Sequence, residues 1–285
     1  MKINRRGLFT TIVVGIVLGM VPAVGLVTLS AKQAQSTKQA LTPLQLEIEG
    51  QRLRLGSADV EDRREALMRL RSLRHPGASR VALSALTDPS PIVRATAAAS
   101  VLSLPAYEST VNLLPLLGDK EEYVRQHAAY ALGQAGSNRA VTALVERLTD
   151  KKDSVRGAAA VALGQIADAT AVTPLAAILN PQSGLTQSKK DKKKREQNSF
   201  VLRAAAHSLG QIGDRAALPA LVLVLQDDKA ESDVRREAAF ALGAIGDVTA
   251  IPALRSVLTE SDPYLSQTAH EAIKRISPSK SPGGA

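Results

Sequence analysis

A recurring apolar pattern limits what this chain can fold into more than any other feature. Its first member, Asp62, is degenerate, and Val93, Val124, Val155, Val201, Val234 and Leu265 follow at a nearly constant interval. The one long interval, from Val155 to Val201, is a normal one lengthened by a lysine-rich insertion. Each start is followed by apolar residues four, eight and eleven positions later. The sets are Val93/Ala97/Val101/Leu104, Val124/Ala128/Leu132/Ala135, Val155/Ala159/Leu163/Ile166, Val201/Ala205/Leu209/Ile212, Val234/Ala238/Leu242/Ile245 and Leu265/Ala269/Ile273/Ile276. Those intervals fall on one face of an α-helix. The helices end in glycine-bearing turns such as Ile212-Gly213-Asp214 and Ile245-Gly246-Asp247, where glycine suits the left-handed position and Asp can open a new helix. A second helix then runs to Leu86, Leu117, Leu148, Leu179, Leu225 or Leu258, and Pro174, Pro219 and Pro252 occupy its first turn, where a missing N–H is harmless. The fold expected is all-α: a right-handed α-solenoid of about six helix pairs plus a terminal helix near Asp262–Ile276.

The wording of the repeat carries a family resemblance. Val155-Arg156-Gly157-Ala158-Ala159-Ala160-Val161-Ala162-Leu163-Gly164-Gln165-Ile166-Ala167-Asp168 resembles the HEAT-like repeat of phycobilisome bilin lyases, and Val234-Arg235 through Asp247 resembles it too. The resemblance covers roughly Ser57 to Ile276 and implies an armadillo-like helical solenoid. It implies little about activity, because such repeats serve lyases, hydroxylases and scaffolds alike.

Composition agrees with close-packed helices. Apolar residues make up 45% of the 285 residues but aromatics only 2%, so Ala, Leu, Val and Ile must supply the core. Cysteine is absent, which excludes disulfides, thiolate metal sites and thiol chemistry. The formal charge of +9 is concentrated in two places. Lys2, Arg5 and Arg6 carry +3, and Lys189-Lys190-Asp191-Lys192-Lys193-Lys194-Arg195 carries +5, leaving +1 for everything else. A nearly neutral body lacks the basic footprint of a DNA-binding solenoid, so nucleic acid is not an expected partner.

The N-terminus suggests a membrane. Leu8–Leu29 is 22 residues without a charge, about 33 Å as a helix against about 30 Å of hydrocarbon. Secretory signal peptides have apolar stretches of roughly 7–15 residues. A retained transmembrane anchor is therefore favoured, with the alternative of secretion after cleavage near Ser30-Ala31 or Ala34-Gln35-Ser36. Basic residues before the run place the N-terminus in the cytoplasm and the rest on the extracytoplasmic side. Asn4-Arg5-Arg6-Gly7-Leu8-Phe9 resembles a twin-arginine export signal, and Gly15-x-x-x-Gly19 has the spacing of close helix contact in membranes. The organisation expected is a basic flank 1–7, the apolar segment 8–29, a polar linker 30–42, the solenoid 43–276 with an insertion at 180–199, and a disordered tail 277–285. Thr42-Pro43 reads as a helix cap opening a lead-in helix, although Leu44, Leu46 and Ile48 alternate as a strand would.

Chemistry-bearing residues are sparse. Arg63, Arg94, Arg125, Arg156 and Arg235 share one repeat position, which Leu202 and Ser266 break. Packing over a neighbouring helix and pairing with turn acids such as Asp119, Asp150 or Asp247 is favoured for them over an anion-binding stripe. Gly133, Gly164, Gly210 and Gly243 read as close-packing positions. The repeats are also similar to those of deoxyhypusine hydroxylase, a solenoid carrying two irons whose ligands resemble His-Glu pairs at matching repeat positions. Here only His270-Glu271 forms such a pair, while His75, His127 and His207 stand elsewhere in the repeat. No catalytic, cofactor or metal residues are expected. The residues outside the repeat logic are Lys189, Lys190, Lys192, Lys193, Lys194 and Arg195, candidates for contact with an acidic partner or anionic lipid. The reading favoured is a membrane-anchored, non-catalytic scaffold that binds another protein, with Tyr107, Tyr123, Tyr130 and Tyr264 as anchors. The alternative is an enzyme or enzyme subunit of the bilin-lyase or hydroxylase type.

Overall fold

The computed structural model describes residues 41–180 and 199–277. The apolar segment Leu8–Leu29, the linker up to residue 40, the lysine-rich run Lys189–Arg195 and the end of the tail lie outside the described residues. Among the described residues every regular element is helical, and no helix is long and apolar enough to cross a membrane.

The residues that alternate like a strand are helical. Helix α1 spans Pro43–Arg54, and Thr42 caps it with a reciprocal capping box to Gln45. Seven long or medium helices then alternate with six short ones. The first set is α2 (Val60–Ser72), α4 (Pro91–Ser100), α6 (Glu122–Ala135), α8 (Asp153–Ile166), α10 (Ser199–Ile212), α12 (Ser232–Ile245) and α14 (Pro263–Ile276). The second is α3 (Pro76–Ala82), α5 (Ala106–Leu113), α7 (Val141–Arg147), α9 (Val172–Leu179), α11 (Leu218–Gln226) and α13 (Ile251–Ser256). Consecutive members of the first set pack on one another, so they form one continuous row. The repeat-start residues Val93, Val124, Val155, Val201, Val234 and Leu265 are all buried, as are Leu132, Leu163, Leu209 and Leu242 two turns later. Each buried leucine contributes about 2 kcal/mol of hydrophobic stabilisation.

Small residues set the spacing of that row. A Cβ on Gly210 would lie 2.9 Å from Ala241 Cα, and one on Gly243 would lie 2.8 Å from Ala272 Cα. The row is also unbroken across the insertion. Ser208 on α10 donates to the Ala160 carbonyl of α8 at 2.8 Å, and Phe200 packs against Gly157.

Two local expectations are corrected. Val101 and Leu104 are buried but not helical, because α4 stops at Ser100. Ser79 of the preceding repeat donates to the Ser100 carbonyl (2.7 Å) and accepts from the Ser103 N–H, diverting both groups from the helix ladder. Pro105 follows directly. The second helices, moreover, are not uniformly α. Asp168, Asp214 and Asp247 each cap a short 3-10 turn (169–171, 215–217 and 248–250) before α9, α11 and α13 begin.

Candidate interaction surface

The repeated arginines are absorbed by the fold. Arg125 on α6 donates from Nε and Nη2 to both carboxylate oxygens of Asp150 (2.8 and 3.0 Å), while its Nη1 reaches the carbonyls of Asp119 and Lys120. Arg94 makes the same set with Asp119, Asp88 and Pro89, and Arg63 makes it with Asp88, Ser57 and Ala58. Arg235 grips Glu260 with two nitrogens and the Leu225 carbonyl with the third. Arg63, Arg94 and Arg125 thus hold carbonyls of the turn before their own helix, Arg235 holds one at the end of α11, and all four reach a carboxylate after the next short helix, stitching consecutive repeats. Burial opposes ionisation of Asp88, Asp119 and Asp150, but the arginine and a backbone N–H outweigh it, and all three carboxyls sit below the usual range.

The ladder fails beside the insertion. Arg156 bonds the Asp150 carbonyl and pairs with Asp153 on its own helix, because the position that supplies the acid in other rungs is Pro181, outside the described residues. Leu202 takes the next arginine position, and Arg203 turns outward to Asp233. Asp247 is not a ladder acid. The hydroxyl and backbone N–H of Thr249 hold it, together with Arg215, and these bonds bring its carboxyl down to about 2.

The outward face of α10, α12 and α14 is organised differently. His207 Nδ1 lies 2.8 Å from Glu237 Oε1, and its ring stacks on Phe240 at 6.2 Å between centroids. Arg275 of α14 stands over the same Phe240 ring at 5.3 Å. Arg236 bonds Asp262 and lies 5.2 Å from the Tyr264 ring. Phe240 and Tyr264 nevertheless remain 42% and 66% exposed. Two aromatic faces are therefore fixed in place by neighbouring cations while their apolar surface stays open to solvent. Tyr107 is similarly exposed beneath Arg139, and Tyr123 rests against His127. Tyr130 is half-buried against the core, unlike the other three tyrosines. Sequence reading overlooked Phe240; the signal was an aromatic on α12 lying on the helix face opposite the buried set.

The histidines stay apart. His75 caps α3 through Nδ1, burial pushes His127 below its ordinary value, and His270 is exposed. Among the described residues no three His, Asp or Glu side chains are grouped to hold a metal ion. The candidate contact residues Lys189, Lys190, Lys192, Lys193, Lys194 and Arg195 lie outside the described residues.

Comparison with known families agrees with this architecture. A model of HEAT repeats matches residues 110–188 and 227–282, and one of the PBS lyase HEAT-like repeat matches 201–227. This chain is a HEAT-repeat protein. No curated protein sequence matches it. Among solved structures, an engineered protein is 23% identical with a TM-score of 0.52, over 80% of this HEAT-repeat chain and 68% of its own. The CpcE–CpcF complex of phycocyanin lyase from Nostoc sp. PCC7120 is 22% identical over 90% of this chain and 100% of its own, with a TM-score of 0.48. Human deoxyhypusine hydroxylase in complex with glycerol is 20% identical over 81% and 96%, with a TM-score of 0.36. Such identities concern the fold alone, and the last two superpose too loosely to bear on activity.

Proposed function

We propose that this HEAT-repeat protein is a membrane-anchored scaffold that docks another protein and catalyses no reaction. The observation that carries the reading is the exposed aromatic pair Phe240 and Tyr264, held in place by His207, Arg236 and Arg275 on rigid helices. A preorganised aromatic surface loses little side-chain freedom on binding, and aromatic and arginine side chains supply most interface hot spots. The scattered histidines and the fully engaged arginine ladder speak against a converging catalytic constellation. Attachment to the membrane is read from Leu8–Leu29 alone, with the N-terminus cytoplasmic and the solenoid extracytoplasmic. The lysine-rich run is a secondary contact for acidic partners or anionic headgroups.

Two measurements test the reading. Alkaline carbonate washing leaves the full chain with membranes if the anchor is retained; a processed, fully soluble product overturns the anchor. Affinity capture from detergent-solubilised membranes yields a stoichiometric partner that is lost with Phe240→Ala and Tyr264→Ala but kept with Glu271→Gln. Equal recovery by all variants removes the aromatic pair from the docking surface.

A further inference from the structure

The two ends of the described array are unlike. At one end, α14 presents Gln267, His270, Glu271, Lys274 and Arg275 to solvent. At the other, α1 buries none of its residues and exposes Leu46 and Leu53 by 57% and 65%. The outer helix of a repeat array needs a polar face to remain in water; α14 supplies one, whereas on α1 the exposed Gln45 and Arg52 share the surface with exposed leucines. Leu46, Gly50 and Leu53 follow one another at i, i+4 and i+7, so they form one stripe, while Ile48 and Leu55 pack against the core from the opposite side. Among the described residues, a Cβ on Gly50 would meet nothing within 4 Å, so none of them covers the stripe there. Its charged neighbours are already engaged. Glu49 is held by Arg52 at 2.6 and 2.8 Å, Glu47 by Arg69, and Arg54 by Asp62 and Glu65.

We infer that the Leu46–Gly50–Leu53 face of α1 rests on the bilayer surface. The inference builds on the membrane anchor proposed above. The uncharged run ends at Leu29 and the described residues open at Leu41. The roughly 12 residues from one to the other, fully extended, reach at most about 42 Å. A chain anchored there keeps α1 permanently within reach of headgroups. Two leucines on a 12-residue helix fall far short of the roughly 800 Å² per partner that a stable dimer needs. They suffice for a tethered contact, where high effective concentration compensates for weak intrinsic affinity. Because the helix is internally charge-balanced, the contact does not depend on anionic lipid.

The absence of cysteine permits a direct test. Full-length protein carrying Leu46→Cys or Leu53→Cys, labelled with an environment-sensitive fluorophore, is reconstituted into phosphatidylcholine vesicles, with Gln226→Cys on α11 as control. Expected are blue-shifted emission and loss of intensity with doxyl-labelled lipids at both α1 sites, none at the control, and no change when phosphatidylglycerol is added. Adding Gly50→Glu, which introduces a carboxylate without steric conflict, reverses the shift. If both α1 labels are quenched by aqueous iodide as readily as the control while the chain resists carbonate, the inference is overturned and the anchor stands. Release by carbonate overturns both. Protection from iodide without quenching by lipid means that protein covers α1, and this too overturns the inference.

Discussion

At the scale of single residues, the arginine rungs do most to join one repeat to the next. Arg125 and Asp150 are 5% and 6% exposed, bidentate, and tied to two carbonyls, so neither loss can be made good by water. Arg125→Met leaves a carboxylate and two carbonyls buried without the donor and is expected to cost about 3 kcal/mol, measured by urea denaturation. Arg125→Lys recovers only part of this, since an ammonium cannot reproduce the fork. The same rungs set the acid response. Asp88, Asp119 and Asp150 are held below their unfolded values, so the unfolded chain takes up protons first as the pH falls. Their stabilisation is complete above about pH 4 and is lost progressively below it. Arg125→Met flattens that loss, because Asp150 is then no longer depressed. An acid recurs at one constant separation from each rung arginine, as Asp88, Asp119, Asp150 and Glu260, so most of the ladder was legible. Asp247 was misassigned because an acid just after a glycine turn is a capping residue, and its arginine, Arg215, belongs to the other helix row.

At the scale of elements, the long helices were readable because an apolar face repeated at four, eight and eleven residues admits no other structure. What sequence could not give was where side-chain hydroxyls intercept the backbone, as Ser79 does at the end of α4, or where a cap produces a 3-10 turn. Helix ends also carry strain that the repeat itself exposes. Gly136, Gly213 and Gly246 close α6, α10 and α12 in the left-handed region, but α8 closes on Ala167 at φ 57°. Ala167→Gly removes a Cβ conflict worth about 1 kcal/mol and is expected to raise the melting temperature. A missing rung can be tested in the same way. Leu202 occupies the arginine position of α10, and Asp227 stands at the matching acid position, exposed and accepting from the Lys229 N–H. Leu202→Arg is expected to add up to about 1 kcal/mol that disappears when Asp227→Asn is combined with it. A gain unaffected by Asp227→Asn would show that α10 and α11 do not share the geometry of the other rungs.

At the scale of the whole molecule, the array behaves as one row of neighbours in which each repeat needs only the next. The insertion therefore interrupts the chain without interrupting the stack. Helix α8 meets α10 through Ser208 and the Ala160 carbonyl and through Phe200 against Gly157, although the interval from Val155 to Val201 is the longest in the array. The described ends on either side, Leu179 closing α9 and Ser199 opening α10, belong to repeats with intact buried sets. Loop-closure entropy changes slowly with length, so shortening the connection alters stability little as long as the ends still meet. Deleting Gln182–Gln197 is expected to leave the helical circular dichroism unchanged and to move the melting temperature by only a few degrees. The deletion also removes a local charge of +4, about 1 kcal/mol of attraction to an anionic surface for each basic residue held close to it. Binding of a fragment beginning at Ser36, which lacks the anchor, to phosphatidylglycerol vesicles at low salt should weaken accordingly, and the difference made by the deletion should shrink as salt screens it. Equal binding with and without the segment would make it a passive spacer. Loss of helicity would mean that α8 and α10 need those residues to stay in register.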